Sequence, residues 1–107
     1  MKRLVSAVAF SLILGGASVA LGQNPGESTY KAKCAVCHGP DGGGKTMMGE
    51  KLKARDLRLP EVQKQTDADL TLIICKGKEK MPAYDGKLTK EQISQLVGFI
   101  RELAKKH

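Results

Sequence analysis

The apolar positions of this chain fall into three patterns, and each predicts a different kind of element. Leu4 to Leu14 is an uncharged run behind the basic start Met1-Lys2-Arg3, and it gives way to small residues through Gly22. A basic start, an apolar middle and a small-residue end predict a secretory leader cut after Gly22, with Ala20 as a second possible site. The competing reading is a retained anchor, because the run is close to the shortest bilayer span. The second pattern is helical. Glu27 to Val36 suits a short helix with Tyr30, Cys34 and Cys37 near one face. Thr66-Asp67-Ala68-Asp69 reads as a capped start for a helix carrying Leu70, Leu72, Ile73 and Ile74 and stopping at Gly77. Thr89 and Gln92 form a second capping box, followed by Ile93, Leu96, Val97, Ile100, Leu103 and Ala104 at amphipathic spacing. That helix ends in Lys105, Lys106 and His107, positive charge at its negative pole.

The third pattern is loop. Gly39-Pro40-Asp41-Gly42-Gly43-Gly44 is the strongest turn signal in the chain. Met47 to Pro60 is mixed, a short turn or helix with Leu52, Leu57 and Leu59 as core contacts. Lys78 to Lys87 has turn chemistry, and Pro82 holds Met81 in extended or loop backbone. No β-alternation of any length appears. The expectation is all-α: residues 1–22 a leader, and residues 23–107 one small domain of three to four helices joined by long loops.

Composition shows what such a domain lacks. Without the leader's Phe10, only Tyr30, Tyr84 and Phe99 remain as rings, and the chain has no Trp. So small a core needs a staple: disulfides, a metal or a bulky cofactor. Three cysteines are an odd number and cannot all pair internally. Losing Lys2 and Arg3 with the leader lowers the formal charge from +7 to +5, which favours acidic protein surfaces as partners. With no long basic run and no stacking rings among the basic residues, nucleic acid is excluded as a partner.

Cys34-Ala35-Val36-Cys37-His38 supplies the missing staple. C-x-x-C-H is the attachment signal for haem c: the two thiols add across the vinyl groups of one haem, and the adjacent histidine becomes an axial iron ligand. A thioredoxin-like pair would need a βαβ context, and a zinc site would need a second Cys/His pair where only Cys75 and His107 remain. A plain disulfide would leave His38 without a role. Outside the leader there are three methionines, and Met81 is the candidate sixth ligand because its loop has no periodic apolar face to join. Met47 and Met48 are expected at the surface or its edge.

Residues 26–104 resemble the class I c-type cytochromes, the small monohaem fold. Gly26 and Tyr30 are similar to the family's small and aromatic pair on a first helix that crosses the last one at Phe99. Cys34-x-x-Cys37-His38-Gly39 matches the attachment motif, and Met81-Pro82-Ala83-Tyr84 matches the methionine loop. The resemblance implies one covalent haem c on Cys34 and Cys37, with iron between His38 and Met81 and a haem edge ringed by lysines. Two departures stand out. Relatives commonly carry a proline whose carbonyl accepts the histidine N–H, whereas Glu50 stands at that distance here, leaving the acceptor open. Larger relatives also use a Trp to bind a propionate, and Arg55, Arg58 and Tyr84 are the candidates in its place.

The implied function is an exported, periplasmic one-electron carrier without enzymatic activity. Its implied partners are acidic redox proteins: a membrane oxidase, a reductase or a dehydrogenase. Lys45, Lys51, Lys53, Lys76, Lys78, Lys80 and Lys87 flank the ligand segments as a candidate docking face. The alternatives are a haem enzyme or gas sensor with a labile methionine, and the cytochrome subunit of a dehydrogenase complex. The protein is expected to be monomeric with Cys75 a small buried apolar residue, a Cys75-linked dimer being the alternative.

Overall fold

The computed structural model describes residues 24–106. The expected leader and His107 lie outside them. Within them are six helical segments: α1 (Glu27–Lys33), α2 (Ala35–His38), α3 (Met47–Leu52), α4 (Pro60–Gln63), α5 (Asp67–Lys76) and α6 (Lys90–Lys105). Extended pairing among the described residues amounts to two isolated bridges, Lys78 with Met81 and Asp85 with Leu88.

Local chemistry sets the helix ends. Thr66 accepts from the Asp69 N–H while Asp69 accepts from Thr66, and Thr89 and Gln92 repeat the exchange at α6. Each cap satisfies donors that the first turn would otherwise leave open, and is worth about 1 kcal/mol. The expected helix over residues 27–36 divides at Cys34, which closes α1 and opens α2.

Helix α6 organises the core. Ile93, Leu96, Val97, Phe99, Ile100 and Leu103 are buried along one stripe. They meet Tyr30 of α1, Leu70 and Ile74 of α5, Val62 of α4 and Leu57. The α1–α6 crossing is close because Gly26 has no side chain: a Cβ there would run into the Gln95 carbonyl oxygen, with the Leu96 nitrogen 3.1 Å away. The approach brings the Tyr30 and Phe99 rings to a centroid separation of 5.0 Å at 50°, a favourable tilted pair.

Not every apolar residue of the expected elements is buried. Leu57 is buried, but Leu59 is 43% exposed and Leu72 53% exposed. Leu59 caps α4 rather than lying inside a helix, and Leu72 points away from the stripe that Leu70 and Ile74 share. Met47 and Met48 are exposed, as their sequence position suggested. Cys75 is half-buried against the core.

Candidate functional site

The Cys34–His38 turn lies directly after α1. Cys34 and Cys37 are free thiols, both half-buried, on opposite ends of one helical turn. His38 ends α2, and its Nδ1 is 2.9 Å from the Arg55 carbonyl oxygen. A carbonyl only accepts, so Nδ1 must carry the proton, and in a neutral imidazole Nε2 is then left with its lone pair free. Burial pushes the His38 pKa below the ordinary histidine value, while the Arg55 carbonyl pulls the other way. The Cys34 thiol is pushed up to about 11, chiefly by burial and then by the neighbouring Cys37.

Two chain segments hold His38 in place. The glycine loop folds back so that the Gly44 N–H donates to the His38 carbonyl at 2.7 Å, and the Gly42 carbonyl accepts from Leu57 N–H at 2.7 Å. The stretch Ala54–Leu57 thereby lies alongside the histidine, and it reaches that position through Lys53, whose φ is 61°. Below the site, the Thr46 hydroxyl donates to the Val36 carbonyl at 2.7 Å and accepts from Gly49 N–H at 2.8 Å, tying α3 to α2.

Met81 approaches from the other half of the fold. After α5 the chain turns at Gly77 (φ 74°), where a Cβ would stand 2.6 Å from the Met81 carbonyl oxygen, so glycine alone fits this turn. Lys78 and Met81 exchange backbone hydrogen bonds at 2.9 and 3.1 Å, and the segment is tied to α5 through Tyr84 N–H to the Ile74 carbonyl and Asp85 N–H to the Cys75 carbonyl. Met81 is half-buried against the same core as Cys34, Ala35 and Tyr84. The Tyr84 hydroxyl donates to the Lys33 carbonyl at 3.1 Å, one residue before Cys34. Its pKa is raised, by burial first and then by the neighbouring Cys34 and Cys37.

The other candidate residues have partners of their own. Arg55 is half-exposed and pairs with Glu61 at 3.3 Å. Arg58 spans Asp56 and Asp41. The His38 acceptor, left open in the sequence, is the Arg55 backbone carbonyl. No side-chain pattern could have signalled it, because any residue there offers the same oxygen.

The donor set fits a covalent haem: two free thiols one turn apart, a histidine with its Nδ1 committed, and a thioether on a loop tied to α5 by backbone hydrogen bonds. Among the described residues there is no group of three or more His, Cys, Asp or Glu side chains that could hold a bare metal ion.

Comparison with known proteins leads to the same chemistry. Residues 22–100 match the family described as cytochrome c oxidase, cbb3-type, subunit III. The chain belongs to the c-type cytochromes. Cytochrome c6 of Gloeothece citriformis is 33% identical over 99% of this chain and 98% of its own length. Cytochrome c6 of Petalonia fascia is 34% identical over 72% of this chain and 87% of its own. The solved structure of the KustC0563 c-type cytochrome superposes with a TM-score of 0.67 at 36% identity, covering 73% of this chain and 95% of that one. This cytochrome is of the class I monohaem kind, with one covalently bound haem c, and it acts as an electron carrier with redox proteins as partners.

Proposed function

We propose that Cys34 and Cys37 form the two thioether links, that His38 Nε2 and the Met81 sulfur are the axial iron ligands, and that the protein shuttles electrons without catalysing a reaction of its own. The observation that carries this reading is the His38 ring: its Nδ1–H is committed to the Arg55 carbonyl at 2.9 Å, leaving Nε2 as the free donor on the residue that follows Cys37. The bound haem supplies a single reversible electron on its iron. The chain fixes the ligands and half-buries them. The Arg55 carbonyl makes the imidazole a stronger donor, and the thioether of Met81 favours the reduced state. Two protein ligands leave no position for a substrate, which favours a carrier over a haem enzyme or gas sensor.

Lysines on the methionine segment, Lys78, Lys80 and Lys87, are exposed. They support docking on an acidic face of the partner, with encounter rates that fall as salt rises. The apolar leader over residues 1–22 supports export to the periplasm. No helix among the described residues is long and apolar enough to cross a membrane. A second reading is favoured by one relative: the cytochrome c subunit of a quinone-type alcohol dehydrogenase from Gluconacetobacter polyoxogenes is 33% identical over 72% of this chain, which spans 18% of that protein. In that reading the same electron chemistry serves a fixed partner.

The test is to express the chain in a host competent for haem c maturation. The mature mass should equal the polypeptide from residue 23 plus one haem, and the ferric spectrum should show the far-red sulfur-to-iron band. Met81→Ala should abolish that band while keeping the haem attached. A band that survives Met81→Ala would remove Met81 as ligand, and a bare polypeptide mass would remove the whole reading.

A further inference from the structure

Arg58 is tied into the segment that touches His38. Its Nε and Nη2 donate to the two oxygens of Asp56, each at 2.9 Å, and its backbone N–H donates to Asp56 Oδ1 at 3.0 Å. Its Nη1 reaches across to Asp41 Oδ2 at 3.3 Å, while Asp41 Oδ1 accepts from the Gly43 N–H at 2.9 Å. One planar guanidinium therefore joins the glycine loop to the stretch that carries the Arg55 carbonyl. Isolated surface ion pairs stabilise little, but a two-pronged arginine–carboxylate pair with a second carboxylate is the geometry that does fix a position. The Arg58 side chain is 21% exposed and that of Asp56 19%, so the pair is largely sheltered. The connections form a closed circuit. His38 is bonded through its carbonyl to Gly44 and through its ring to Arg55, and Gly42 and Leu57 are bonded to each other between those two links. Arg58 closes the circuit on its outer side.

We propose that Arg58 is a positioning residue for His38, holding the Arg55 carbonyl on the imidazole N–H and so helping to set the reduction potential. This rests on His38 being the iron ligand. The carbonyl strengthens imidazole donation, which favours ferric iron and lowers the potential. Loosening the clamp should raise it. Removing a positive charge near the iron acts in the opposite direction, so the two roles predict opposite signs.

Arg58→Lys keeps the charge and loses the fork. In the intact haem protein it should raise the reduced-to-oxidised ratio at fixed ambient potential about threefold, about 28 mV at 59 mV per decade for one electron. Arg58→Met also loses the charge, so its potential should lie below that of Arg58→Lys, and exchange of the His38 Nδ1–H with deuterated solvent, followed by NMR, should quicken in both. An unchanged potential and exchange rate in Arg58→Lys, or an unchanged exchange rate in Arg58→Met, would overturn the clamp. Should either arginine variant fail to retain haem, Asp41→Asn leaves the Asp56 fork in place and must still quicken Nδ1–H exchange; no change there is equally fatal. A wild-type protein lacking haem bands would sink the ligand assignment as well, whereas normal bands with an unresponsive Arg58→Lys would sink the clamp alone.

Discussion

The Tyr30 hydroxyl donates to the Gly39 carbonyl at 2.6 Å in a buried setting, linking α1 to the residue that follows the histidine. Tyr30→Phe deletes that oxygen and keeps the ring against Phe99. Tyr30 is 1% exposed, so water does not replace the lost partner. The Gly39 oxygen still accepts from the Gly42 N–H at 3.1 Å, so it is not orphaned. The cost is therefore that of one neutral hydrogen bond, about 1 kcal/mol, rather than the roughly 3 kcal/mol of a stranded buried acceptor. For a domain of this size that lowers Tm by about 4–8 °C. Guanidinium unfolding of the ferric protein, followed by far-ultraviolet circular dichroism, should show a lower midpoint with an unchanged slope. The pH dependence has a definite sign. Burial raises the Tyr30 pKa above its ordinary value of 10.0. The hydroxyl's contribution is thus fully present below pH 10 and is lost as pH climbs above it, so wild type and Tyr30→Phe should converge in alkali. A variant as stable as wild type at pH 7 would refute the hydrogen bond. A gap that widens above pH 10 would refute the assignment of the burial effect.

At the α1–α6 crossing, Gly26→Ala forces a methyl group against the Gln95 backbone and should cost about 1–3 kcal/mol by thermal unfolding. A neutral result would mean the helices separate freely there. The Arg58 guanidinium holds the Asp56 carboxyl down at about 2, from an ordinary 3.8. Asp56 therefore contributes stability above pH 3.8 that disappears as pH falls through 2. After discounting for partial exposure, Asp56→Asn should cost about 1 kcal/mol at pH 6 and almost nothing near pH 2. Urea titrations at the two pH values would measure this, and a gap independent of pH would contradict it.

What the sequence made legible was local. The attachment motif and both capping boxes are short strings whose chemistry is complete within four or five residues, and the structure has both caps as expected. The stripe on α6 was equally plain because six residues repeat it. Contacts made by the backbone were not legible. The division at Cys34 has no glycine or proline to announce it, and the His38 acceptor depends on how Lys53 redirects the chain rather than on what Arg55 is. Leu59 was misplaced for a related reason: apolar character marks a candidate for burial, but the path of the chain into α4 decides whether it turns inward.

A single phenol joins segments 51 positions apart, from Tyr84 to Lys33. The arm bearing Met81 hangs from α5 at one end and from this hydroxyl at the other. To swing outward it must give up a bond made to the residue just before Cys34. The segment after α5 and the end of α1 are therefore fastened to one another, and a displacement of either strains the same hydroxyl contact.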